Sequence, residues 1–208
     1  MDQLELLKKD WKKQESTLPK LSKQELSKLI HKKSSSIVKW IFIISVLEFL
    51  VPNLVLLFTG YDASMKAYEE LGLANFMNTV FIISTIVIFY FIFTFYKNYK
   101  SISANSNSKA LMQNIIKTRK TVKYYIWFSL SMIPIVSLVV LYKAFNSSDF
   151  LEKIPEGTNI VFIWLIAFVF IAIMVGLLWL FYRLIYGILL NKLQKNYDEL
   201  ASNSLDEL

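Results

Sequence analysis

Residues 37–58 read IVKWIFIISVLEFLVPNLVLLF, and this stretch decides the fold class. Its 22 residues carry only two ionisable side chains, Lys39 and Glu48. A helix of about 20 apolar residues, rising 1.5 Å per residue, crosses the hydrocarbon core of a bilayer. Three further runs of that kind follow at 76–96, 124–145 and 160–182, and none holds an acid or a cation before its end near Lys97, Lys143 or Arg183. The chain of 208 residues is 55% hydrophobic and 15% aromatic, more apolar than a soluble domain of this length. The expected fold is therefore an all-α integral membrane protein, a four-transmembrane-helix bundle with amphipathic cytoplasmic helical extensions. Residues 1–36 are expected to form amphipathic helices, 37–182 the transmembrane bundle, and 183–208 a helical extension and tail. The first run begins after 36 lysine-rich, polar residues and no small-residue cleavage site follows it, so it does not read as a cleavable signal peptide.

The charges set an expected orientation. Residues 1–39 hold ten Lys against five acids, and 97–123 hold seven Lys or Arg with no acid. The other two connections are poor in cations: 59–75 has Lys66 against Asp62, Glu69 and Glu70, and 143–159 has Lys143 and Lys153 against Asp149, Glu152 and Glu156. Cationic flanks stay on the cytoplasmic side, which places both termini and the basic loop 97–123 there. The net charge of +7 thus reflects topology and attraction to anionic headgroups. No nucleic-acid partner is expected.

Glu48 is the anomaly. From the middle of its span a short carboxyl reaches neither interface, and a charge there costs on the order of 3 kcal/mol, so it is expected to face protein or water and to be protonated. Ser45 lies three residues before it and Pro52 four after, on one helical face. Pro52 has no N–H to bond the Glu48 carbonyl, which adds a free acceptor at a kink. Ser45, Glu48 and Pro52 therefore form a candidate intramembrane polar site. Three roles are open to it: a hydrogen bond to a hydroxyl such as that of Ser84, Thr85, Tyr90, Ser131 or Ser137, a proton or ion path, or a contact to another membrane subunit. In the fourth span Ala172 and Gly176 form a small-xxx-small step, a candidate helix-packing site.

Outside the spans, Leu4, Leu7 and Trp11 recur at helical spacing before a break at Leu18-Pro19. Ser22 and Glu25 then form a Ser-x-x-Glu capping box with Leu21 and Leu26 as its hydrophobic staple. Leu26, Leu29, Ile30 and Ile37 carry an apolar stripe into the first span. These residues, with Leu4, Leu7 and Trp11, are the candidate cytoplasmic interaction surface. After SISANSNS at 101–108 a helix is expected to resume through Leu111, Met112, Ile115 and Ile116. Leu184, Ile185, Ile188, Leu189 and Leu193 extend the fourth helix beyond its span. A helix from Ile160 to Lys195 is about 54 Å long and outruns the bilayer.

Three stretches, HKKSSSIVKWIFIISVLEFL at 31–50, KTRKTVKYYIWF at 117–128 and FYRLIYGILLNKLQKNYDEL at 181–200, resemble a family of small bacterial inner-membrane proteins with four spans. The resemblance covers most of the chain. It implies a multi-pass protein of the bacterial inner membrane and assigns no activity. Some members of that family carry an automatic label as carotene-cleaving monooxygenases, a chemistry that needs several histidines on iron. This chain has His31 alone.

With one His, no Cys, and no phosphate-binding loop, dinucleotide turn or nucleophile elbow, the sequence points away from an enzyme, and no cofactor or metal is expected. The function expected is that of a non-catalytic adaptor or regulatory subunit that binds a partner through cytoplasmic helices or the bundle; the partners expected are the bilayer with its anionic headgroups and a protein partner or a homo-oligomer. The alternative is a channel or transporter subunit with Glu48 lining a proton or cation path.

Overall fold

The computed structural model describes residues 22–104, 107–153, 155 and 159–205. Among these, all regular structure is helical: α1 (Lys23–Thr59), α2 (Tyr61–Glu70), α3 (Ala74–Ala104), α4 (Ser108–Phe145), α5 (Ser148–Lys153) and α6 (Ile160–Leu205). Four of them, α1, α3, α4 and α6, are long and apolar enough to cross a membrane. They pack in a ring in which α1 touches α3 and α6, and α4 touches the same two.

Local chemistry explains where the helices begin and end. Ser22 caps α1: the Glu25 N–H donates to Ser22 Oγ at 3.2 Å, and the Ser22 N–H donates back to Glu25 Oε2 at 2.9 Å. The stripe that begins with Leu26 then runs into the first apolar stretch without a break, because nothing between Lys23 and Pro52 removes an N–H. Pro52 and Pro134 both lie inside continuous helices. Gly60 closes α1 at φ 87°, and Gly72 turns the chain from α2 into α3 at φ 64°. Both angles lie in the left-handed region that favours glycine. Asn107 caps α4 by accepting from the Lys109 N–H at 2.9 Å.

Several connections are more helical than their sequences suggest. The segment 97–123 belongs to α3 and α4 apart from a short join around Asn107, and α2 and α5 fill much of the two acidic connections. A search for long apolar runs passes over α2 because its ten residues, YDASMKAYEE, are few and polar on balance.

Burial is uneven along the molecule. The core consists of Ile30, Val38 and Ile41 on α1, Phe91, Phe95 and Ile102 on α3, Leu111, Ile115, Val122 and Tyr125 on α4, and Tyr186, Leu193 and Leu200 on α6. All of these lie in the half of the molecule that carries most of the lysines. Beyond them the helices leave large apolar side chains exposed, among them Leu54, Phe58, Ile82, Ile86, Val161, Phe162 and Phe170. The lysine-rich half packs as a water-soluble core does, and the other half turns its apolar surface outward.

Candidate functional site

Glu48 lies where all four long helices meet. The hydroxyl of Tyr125, from α4, donates to Glu48 Oε2, and that of Tyr186, from α6, donates to the same oxygen at 3.2 Å. Tyr125 is the centre of an aromatic cluster. Its ring lies 5.5 Å from Phe91 and 5.7 Å from Phe95 of α3, and 6.0 Å from Tyr186, all edge-on. Tyr182 stacks on Tyr186 at 5.9 Å. Edge-to-face aromatic pairs add about 0.5–1.5 kcal/mol beyond the area they bury. The cluster thus locks the tyrosines around the carboxyl. The second carboxyl oxygen, Oε1, is buried and has no hydrogen-bond partner.

The structure separates the residues grouped with Glu48 in the sequence. Ser45 is fully buried, and its hydroxyl donates to the Phe42 carbonyl at 2.8 Å, inside its own helix. Pro52 is exposed. It shares a face with Glu48, but the neighbouring helices no longer cover that face one turn further on. Asn53 takes up a nearby acceptor, donating to the Phe49 carbonyl at 2.7 Å. None of the five hydroxyls expected to bond Glu48 does so. Ser131 donates within α4 to Phe128 at 2.9 Å, and Tyr90 is exposed. Glu48 is expected at the middle of its own span, whereas α4 runs twenty residues past Tyr125 and α1 only eleven past Glu48. That offset, with the length of the tyrosine side chain, brings Tyr125 and Tyr186 to the carboxyl.

Ala172 is exposed, and a Cβ on Gly176 would meet open space, so no helix among the described residues packs on that small-residue step. Of the interaction residues read from the N-terminal segment, Leu4, Leu7 and Trp11 lie outside the described residues, as does Leu21. Ile30 is 1% exposed and Leu26 packs against the same core, so both are spent on the fold; Leu29, 42% exposed, remains at the surface. A helix that continues into the ring turns its apolar stripe inward, which removes it from a partner's reach.

Below Glu48, each long helix contributes one buried polar side chain flanked by core residues a turn above and below: Ser34, Asn98, Thr118 and Asn196. Asn196 Nδ2 donates to Ser34 Oγ at 2.9 Å, joining α6 to α1. Asn98 Nδ2 has no partner. Arg119 of α4 donates to Gln194 Oε1 of α6, and Gln194 Nε2 donates to Asp198 at 2.6 Å. Asn114 Nδ2 donates to Ser101 at 2.9 Å, tying α4 to α3. These bonds stitch the lysine-rich half together. Among the described residues no group of three or more His, Asp or Glu is placed to hold a metal ion.

Every long helix also sets an exposed aromatic beside an exposed cation: Trp40 with Lys39, Tyr96 with Lys97, Tyr124 with Lys123, and Trp179 with Arg183. The Arg183 guanidinium lies 5.0 Å from the centre of the Trp179 ring. In the opposite half, a cavity of about 530 Å³ opens between α4 and α6, with Tyr68 of α2 completing its wall.

Residues 24–205 match the model of a family described as Domain of unknown function (DUF8845). The chain belongs to that family. The DUF8845 match runs from the first turn of α1 to the last residue of α6, so the Glu48 cluster, the buried polar layer and the cavity all fall within the family's domain. No curated protein and no solved structure matches the chain.

Proposed function

We propose that this protein is a non-catalytic adaptor or regulatory subunit of the bacterial inner membrane, a four-span bundle with both termini in the cytoplasm. One observation carries the reading. Among the described residues the continuous core cluster lies in the lysine-rich half, while the apolar halves of all four long helices leave large side chains exposed. A packed platform on one side and unfilled apolar faces on the other suit a protein that docks against membrane partners. The aromatic and cationic pairs support the orientation, since such residues anchor helices at the cytoplasmic interface. Anionic headgroups are the lipid partner this belt suits.

Purification from native membranes in mild detergent, followed by mass spectrometry of the co-purifying proteins, tests the reading. A distinct stoichiometric partner is the expected result. A homogeneous self-assembly with no partner would overturn it.

The unpartnered Oε1 of Glu48 favours a second reading, a channel or transporter subunit with that carboxyl on a proton or cation path. That reading expects Glu48→Gln to change proton flux into liposomes while the protein stays folded. Unchanged flux removes it.

A further inference from the structure

The interior stripe of α4 runs through Leu111, Ile115, Thr118, Val122 and Tyr125 at helical spacing. Continued at the same spacing it reaches Ile133, Val136 and Val140, which line the cavity of about 530 Å³. The stripe of α6 behaves alike, passing from Tyr186 and Tyr182 to Ile171 and Ala167. The cavity is therefore the continuation of the protein's own interior, yet neither α1 nor α3 contributes a wall residue. On the α1 side the cause is the offset of the helices. α4 runs nine residues further beyond the Glu48 layer than α1 does, about 13 Å of helix with no α1 opposite it.

We propose that this unfilled interior is a binding site for one acyl chain of a bilayer phospholipid, taken from the leaflet opposite the lysine-rich side. Depth, length and chemistry all point to that occupant. The lining extends from Phe145, at the end of α4, down to Ile133, about 18 Å along the axis, which exceeds half of a roughly 30 Å hydrocarbon core. Its walls are aliphatic and aromatic, with only Ser137 and the Tyr68 hydroxyl as polar groups. Tyr68 belongs to α2, which carries Lys66 and joins the ends of α1 and α3 opposite the lysine-rich half, so it stands at the depth of a headgroup or glycerol. The space is an open apolar groove, with no lining residue fully buried, and its lining lacks dispersion contacts unless a chain fills it. The inference rests on the membrane placement proposed above and is independent of the adaptor role.

The test uses the full chain in phosphatidylcholine vesicles doped with a phospholipid that carries a photoactivatable diazirine in mid-chain. Adducts are mapped by mass spectrometry. The expected result is labelling of Val140, Ala167 and Ile171 inside the cavity as well as of Val161 and Val169 on the outer surface. Ala167→Trp fills the space and abolishes the inner adducts while the outer ones persist. Val140→Phe on the facing wall serves the same purpose if Ala167→Trp loses its cooperative melting transition. Labelling of the outer residues alone overturns the proposal. Absence of label at both places shows that the helices do not lie in the bilayer, a distinct failure that removes the membrane placement as well. Because the chain has no cysteine, Ala167→Cys gives a single thiol. Disulfide-linked dimers through it assign the cavity to a second copy and overturn the lipid.

Discussion

At the scale of single residues, Glu48 is a junction. One carboxyl oxygen accepts from two tyrosines on two helices, and a third helix supplies the rings that hold Tyr125 in place. Tyr125→Phe removes one bond and leaves the shape intact, so a loss of about 1 kcal/mol is expected, read as a lower unfolding midpoint in detergent. Tyr186→Phe is expected to cost less, because its bond is the longer. The double variant should cost more than either single change, since it leaves Oε2 buried beside two phenyl rings. Glu48→Gln keeps a carbonyl acceptor and is expected to retain the fold, whereas Glu48→Ala loses both bonds at once. The sequence makes Glu48 conspicuous, because one acid among 22 residues of apolar span demands a partner. It does not reveal the partners. Tyr186 lies past the apolar run, and a search for apolar periodicity passes over it in favour of Leu184 and Ile188, which prove to be exposed.

At the scale of helices, the contact between α1 and α6 combines core packing with the bond from Asn196 to Ser34. Ser34→Ala leaves a buried amide without its acceptor, which is expected to destabilise the protein by about 1–3 kcal/mol. Adding Asn196→Leu removes the orphan and should recover most of that loss, a coupling visible in a double-mutant cycle of thermal unfolding. The first turn of α1 answers to pH instead. The Ser22 N–H and hydroxyl, with Lys28 nearby, hold the Glu25 carboxyl below the usual carboxylate range. A group whose folded pKa is depressed stabilises its surroundings above the unfolded value, and that stabilisation is lost as pH falls through the folded one. Amide protection over 23–26, measured against the free-peptide rate at the same pH, is therefore expected to fall as acid protonates the Glu25 carboxyl, with the rest of α1 unaffected. Ser22→Ala should abolish the difference. This capping box is fully legible in the sequence because it is local, four residues long and independent of tertiary contacts. The polar layer is not legible there, since Ser34, Asn98, Thr118 and Asn196 look like ordinary surface residues until the helices that flank them are known to close.

At the scale of the whole molecule, four long apolar runs predict four long apolar helices, and the charges between them mark one half as basic. Their lengths were harder to read, because apolar periodicity fades wherever a helix leaves the expected bilayer and gains lysines on its outer face. The merger of the N-terminal stripe with α1 has a direct consequence for truncation. Removal of residues 1–21 spares every core residue named above, and the protein is expected to keep a cooperative melting transition. Removal of 1–36 deletes Ile30 and Ser34, exposes the core and strands Asn196, so aggregation on size-exclusion chromatography is the expected outcome. The helix α6 runs unbroken for 46 residues, about 69 Å. It passes from the lipid-filled groove, past the tyrosines that hold Glu48, to the far end of the basic platform. A rod clamped along its basic arm, by Tyr186, Leu193, Leu200 and the Asn196–Ser34 bond, and unclamped along its apolar arm is a cantilever: rocking the apolar arm by about 5° about Tyr186 swings Ile160, about 39 Å away, through about 3.4 Å. Whatever leans on α6 within the membrane therefore loads the clamp at Tyr182 and Tyr186, beside Glu48, before it reaches the platform.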